Sequence, residues 1–115
     1  MRYLLLIYAA ESSYAGFTSE QMQDFQDRHS QLKKDAEAAG IFLGSQRLQP
    51  ADRAKSLVIR GEKQLLTDGP FAETKEQLGG FYYIDVETPE EAIAWAARIP
   101  QTDATTIEIR PIMEM

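Results

Sequence analysis

Cysteine is absent from this 115-residue chain, and histidine occurs once, at position 29. These scarcities remove disulfides, thiolate nucleophiles, cysteine-bound zinc and any histidine-rich metal site within one subunit. Walker loops, dinucleotide fingerprints, Ser-His-Asp arrays and paired-histidine motifs are missing too, so no metal or cofactor is expected. Long apolar runs are lacking: Tyr3 to Ala10 supplies eight apolar residues, against about 20 for a helix that crosses a bilayer. That run reads as a buried strand rather than a leader, and a cytoplasmic protein without a membrane partner is expected. Positive charge is the minority: 12 Lys and Arg against 18 Asp and Glu leave a net charge of -6. The basic residues are scattered among carboxylates, which opposes binding to a phosphate backbone and excludes nucleic acid as a partner.

What remains fits one domain spanning residues 1–115, because a hydrophobic content of 43% buries a core without staples. Residues 2–8 read as a strand, and Glu11 to Phe17, with Ser12, Ser13 and Gly16, as a loop. Thr18 or Ser19 caps a helix whose Met22, Phe25, His29, Leu32, Ala36 and Ala39 recur at three- and four-residue spacing up to Gly40. Ile41 to Gly44 starts a second extended element, which Pro50 to Arg53 interrupts. Residues 56–67 form a hairpin around Gly61, and Gly79-Gly80 enters a strand over Phe81 to Val86, through a bulge or a close backbone approach. In that strand Tyr82, Ile84 and Val86 share one face, while Phe81, Tyr83 and Asp85 share the other. Thr88-Pro89-Glu90-Glu91 starts a second helix with Ala92, Trp95, Ala96 and Ile99 as its buried stripe, and Pro100 ends it. Thr105 to Ile112 is the last strand.

The order strand-helix-strand, hairpin, strand-helix-strand predicts an α+β, ferredoxin-like sandwich with two helices on one face of an antiparallel sheet. The other face then needs cover. Tyr3, Leu5, Phe81 or Tyr83 supplies an apolar surface there, and a homodimer is the expected partner arrangement.

The run Thr67-Asp68-Gly69-Pro70-Phe71-Ala72-Glu73-Thr74-Lys75-Glu76 through Val86, with the Thr88-Pro89-Glu90-Glu91-Ala92 helix start and the Glu108-Ile109-Arg110-Pro111-Ile112 strand, resembles the DGPF-domain branch of the YCII-related proteins. The likeness covers essentially the whole chain. It implies a dimeric α/β barrel with pockets near the subunit interface, in a wider fold that includes muconolactone isomerase-like enzymes, small monooxygenases and a dehydrochlorinase. It also implies a setting beside extracytoplasmic-function sigma factors. In YCII-like proteins a first-helix histidine, eleven residues before the glycine that ends the helix, is proposed to pair with an aspartate; His29 and Gly40 have that spacing.

His29 is the one side chain whose ordinary pKa, about 6.5, lies near neutrality, so acid-base chemistry starts from it. It stands either as a catalyst with Asp68 as its partner or as a hydrogen-bonded core residue, and Asp68 either serves His29 or caps the Gly69-Pro70 turn. Arg47 and Arg110 each match a planar carboxylate, Phe71, Glu73 and Lys75 line the shaped loop, and Tyr83, or Tyr82 in its place, presents a hydroxyl. The expected ligand-binding set is Arg47, Phe71, Glu73, Lys75 and Tyr83. Two functions follow. One is a small-molecule-binding dimer performing cofactor-independent proton transfer, as an isomerase or lyase does. The other is a non-catalytic ligand-binding or regulatory protein linked to a sigma factor, with the Asp68 to Gly80 loop as a docking surface.

Overall fold

The computed structural model describes residues 1–115. Six strands and two helices follow the chain as β1 (Arg2–Ala9), α1 (Ser19–Ala38), β2 (Phe42–Arg47), β3 (Lys55–Arg60), β4 (Lys63–Asp68), β5 (Gln77–Asp85), α2 (Pro89–Ala96) and β6 (Thr105–Pro111). Four strands pair antiparallel in the order β2-β5-β1-β6, and β3-β4 forms a separate two-stranded sheet. The α+β class and a four-strand order consistent with a ferredoxin-like fold are as expected, with the hairpin inserted between the two halves.

Local chemistry sets the ends of the elements. Thr18 accepts a hydrogen bond from the Gln21 N–H at 3.1 Å and Gln21 Oε1 accepts one from the Thr18 N–H at 2.9 Å, a complete capping box at the start of α1. Gly40, with φ of 74°, ends that helix. In α2, Thr88 accepts from the Glu91 N–H at 3.2 Å and Pro89 occupies the first turn. This helix closes at Ala96, four residues before Pro100, because the amides of Arg98 and Ile99 turn back tightly onto Trp95 and Ala96. β5 begins at Gln77, earlier than the expected Phe81, since Leu78 and Gln77 already pair with Tyr8 and Ala9. The register shifts between Ile7 and Tyr8, so Gly79 is the extra residue of a bulge. At Gly80 a Cβ would lie 2.7 Å from the Gln46 carbonyl oxygen. Both expected reasons for the glycine pair are present.

The core lies between the four-stranded sheet and the helices. Tyr3 pairs with Ile84 and Leu5 with Tyr82, and these four are buried with Leu32 of α1 and with Ala92 and Ala96 of α2. Tyr3 and Leu5 therefore belong to the helix-covered face, not to the open face where the sequence reading put them. Alternation along β1 was legible; which alternate faced the helices depended on the register with β5. The open face instead carries Leu4 opposite Tyr83 and Leu6 opposite Phe81, all half-buried. No helix is long and apolar enough to cross a membrane.

Candidate functional site

A pocket of about 810 Å³ opens between α1 and the adjoining ends of β1, β2 and β5. Its position follows from the bulge and from the glycines. Gly79 and Gly80 line it, opposite α1 residues between Phe25 and Lys33 and the short helical turn Glu11–Tyr14. Rings form one wall. Tyr14 meets Phe25 edge-on with centroids 5.6 Å apart, Phe25 meets His29 at 5.1 Å, and His29 lies nearly parallel to Tyr82 at 5.9 Å. Phe25 and His29 are one helical turn apart, which stacks them along the same face of α1.

His29 Nδ1 and the Tyr82 hydroxyl are 2.7 Å apart, and that hydroxyl also reaches the His29 carbonyl oxygen at 3.4 Å. The pair serves two tautomers. If Tyr82 donates to a bare Nδ1, Nε2 carries the ring proton. If Nδ1–H donates to Tyr82, the phenol donates to the carbonyl and Nε2 is left basic. Burial, followed by the Arg47 and Arg28 guanidiniums, lowers the His29 pKa to about 4. The ring is neutral at pH 7. Burial likewise pushes the Tyr82 phenol up to about 12, and it raises the Tyr14 pKa against the pull of Arg47.

The lining charge runs opposite to that of the chain. Arg47 and Lys33 face a single carboxylate, Glu11, which accepts a hydrogen bond from the Ala51 N–H at 2.7 Å. None of the six ion pairs in the structure uses Arg47. An unpaired guanidinium beside aromatic rings is suited to an anion attached to an apolar body.

Of the residues singled out from sequence, the structure brings His29, Arg47, Tyr82 and the Gly79-Gly80 pair together in this pocket and leaves Asp68, Phe71, Glu73, Lys75, Tyr83 and Arg110 outside it. Asp68 does not reach His29. Its carboxylate accepts from Lys55 Nζ at 2.6 Å across the hairpin, and Gly69, at φ 94°, makes the turn beyond it. Tyr83 points to the open sheet face, where its hydroxyl accepts from Arg2 Nη1 at 2.8 Å; Tyr82 supplies the pocket hydroxyl. Phe71 is 93% exposed, and Glu73 and Lys75 are exposed beside it. The reading also missed Gln77. It lines the pocket, and its side-chain amide donates to the Ala72 and Thr74 carbonyls at 3.2 and 3.0 Å, which ties the segment after Gly-Pro-Phe to the start of β5. Tyr82 was identifiable, because it alternates with Ile84 and Val86 on the face expected beneath the helices. Tyr14 had no such signal, lying in an irregular segment.

Residues 1–115 match the model of the YCII-related domain. A protein of Rhizobium meliloti (strain 1021), described as uncharacterized, is 33% identical over 114 residues, which are 97% of this chain and 92% of that protein.

Proposed function

The chain belongs to the YCII-related domain family, and from that premise we propose that it binds a small anionic molecule with an apolar, aromatic body and performs cofactor-independent proton transfer on it, as an isomerase or lyase does. The observation that carries this is the 2.7 Å contact between His29 Nδ1 and Tyr82 in a pocket that also holds the unpaired Arg47. Arg47 binds the carboxylate of the ligand. His29 Nε2 takes a proton from an activated carbon, while Tyr82 fixes the tautomer by accepting from Nδ1–H. Return of that proton to a different carbon gives isomerisation; departure of an anionic leaving group from the neighbouring carbon, with formation of a double bond, gives elimination. Ligand binding favours the first step, because an anion on Arg47 cancels one of the charges that hold the His29 pKa down and so raises the proton affinity of the ring. The run Asp68-Gly69-Pro70-Phe71 supports a reading within the DGPF branch, and the working form that goes with that reading is a cytoplasmic homodimer with open sheet faces together in an α/β barrel.

The test is incorporation of solvent deuterium into small aromatic carboxylates that first shift the melting temperature. His29→Gln should keep binding within about threefold and lose exchange by about a hundredfold or more. Binding without exchange in the wild type overturns the proton-transfer reading. That outcome favours a second one, a non-catalytic ligand-responsive regulator acting with an extracytoplasmic-function sigma factor. Its motivation is that Asp68 pairs with Lys55, which leaves His29 without a carboxylate partner in this chain.

A further inference from the structure

The β3-β4 hairpin stands apart from the main sheet, and an isolated two-stranded pair is marginal in water. Each of its faces carries an apolar cross-strand pair. Leu57 opposes Leu66 with Ile59 beside them on one face, and Val58 opposes Leu65 on the other. Leu57, Ile59, Leu65 and Leu66 are each 54–64% exposed.

Two measures of shape give the missing cover a size. The radius of gyration is 16.2 Å, against about 13 Å for a compact domain of this length. The accessible surface is 8204 Å², while a folded monomer of this mass has about 6300 Å². The excess of about 1900 Å² per chain, to which the open sheet face and the hairpin both contribute, is more than twice the roughly 800 Å² per partner of a standard interface, and falls in the range of permanent homodimers. A small ligand or a short peptide does not hide that much surface. Charge agrees: Lys55, Arg60 and Lys63 against Glu62 and Asp68 give the hairpin +1, so the rest of a chain of net charge -6 carries -7. A weakly basic arm thus meets an acidic body when two copies associate.

We propose that the β3-β4 hairpin is a dimerisation arm whose Leu57-Ile59-Leu66 face packs against a second copy of this chain. The inference rests on the homodimer named above and adds a contact that joining open sheet faces does not require. The arm folds stably only in the assembly, and the two arms are equivalent by two-fold symmetry.

Sedimentation of the wild type and of Leu57→Asp combined with Leu66→Asp tests this, with far-UV circular dichroism reporting the fold of the main sheet. The double variant should weaken the dimer by about a hundredfold or more, since two buried leucines are lost. Amide exchange on the unaltered protein gives a second readout: residues 55–68 should be protected at concentrations where it dimerises and exchange freely on dilution to the monomer. A dimer unchanged by both substitutions, or exchange over 55–68 that ignores concentration, overturns the arm and leaves the homodimer standing. A wild type that is monomeric throughout overturns both.

Discussion

The Tyr82 hydroxyl joins His29 through both ends of that residue, its Nδ1 at 2.7 Å and its carbonyl oxygen at 3.4 Å, tying α1 to β5 across the floor of the pocket. A histidine held this way in a dry setting favours its neutral form, and stability depends on that.

Acid should therefore weaken the fold through His29. The ordinary pKa of 6.5 in the unfolded chain exceeds the folded value of about 4, so between these values the unfolded state binds the extra proton. The contribution of the neutral ring is complete above pH 6.5, is lost progressively down to pH 4, and is constant below. After discounting for partial exposure, it amounts to about 1 to 2 kcal/mol. Denaturant unfolding at pH 7 and pH 4.5 should show this loss, and His29→Gln should remove that part of the pH dependence.

Arg47→Ala should move the His29 titration upward, because it deletes the second-largest cause of the depression. Burial, the largest cause, remains, so the midpoint should stay below 6.5. Histidine ring resonances followed by NMR give the answer directly, the chain having one histidine. An unmoved midpoint would place the guanidinium away from the ring in solution.

Replacing Gly80 by alanine should cost about 1 to 3 kcal/mol, the range for forced overpacking. The added methyl meets the Gln46 carbonyl oxygen at 2.7 Å, and backbone cannot swing aside as a side-chain tip does. The same change at Gly79, where the nearest atom is 3.8 Å away, should be much milder. Unfolding midpoints of the two variants make the comparison.

Leu5→Ala should destabilise by about 2 to 5 kcal/mol, as for other fully buried leucines, since only 1% of Leu5 is exposed. Leu6→Ala, one residue along and on the half-buried face, should cost clearly less in the isolated chain. Equal costs at a concentration that keeps the protein monomeric would contradict the assignment of faces.

These two leucines also show how far the sequence could be read. Periods and caps are local, so α1, the hairpin and the strand around Tyr82 were legible from Thr18, Gly61 and the Tyr82-Ile84-Val86 alternation. Faces and partners are not local. Leu5 lies under the helices because it pairs with Tyr82, a register set by contacts some 77 residues apart in sequence. The same limit governed the site. His29 and Arg47 were chosen for their chemistry and do share the pocket, whereas Asp68 was matched to His29 by chemistry and is instead used by Lys55, directly across the hairpin.

Gln77 couples the pocket to the segment that follows the Gly69-Pro70 turn. It lines the pocket, and its side-chain N–H groups hold the carbonyls of Ala72 and Thr74 just beyond Gly69-Pro70. Any partner that pulls this turn outward must break those bonds and release part of the wall, and any ligand that braces the wall makes the turn harder to displace. Were a ligand and a loop-binding partner to act on Gln77 in this way, linkage would make the two effects equal in free energy.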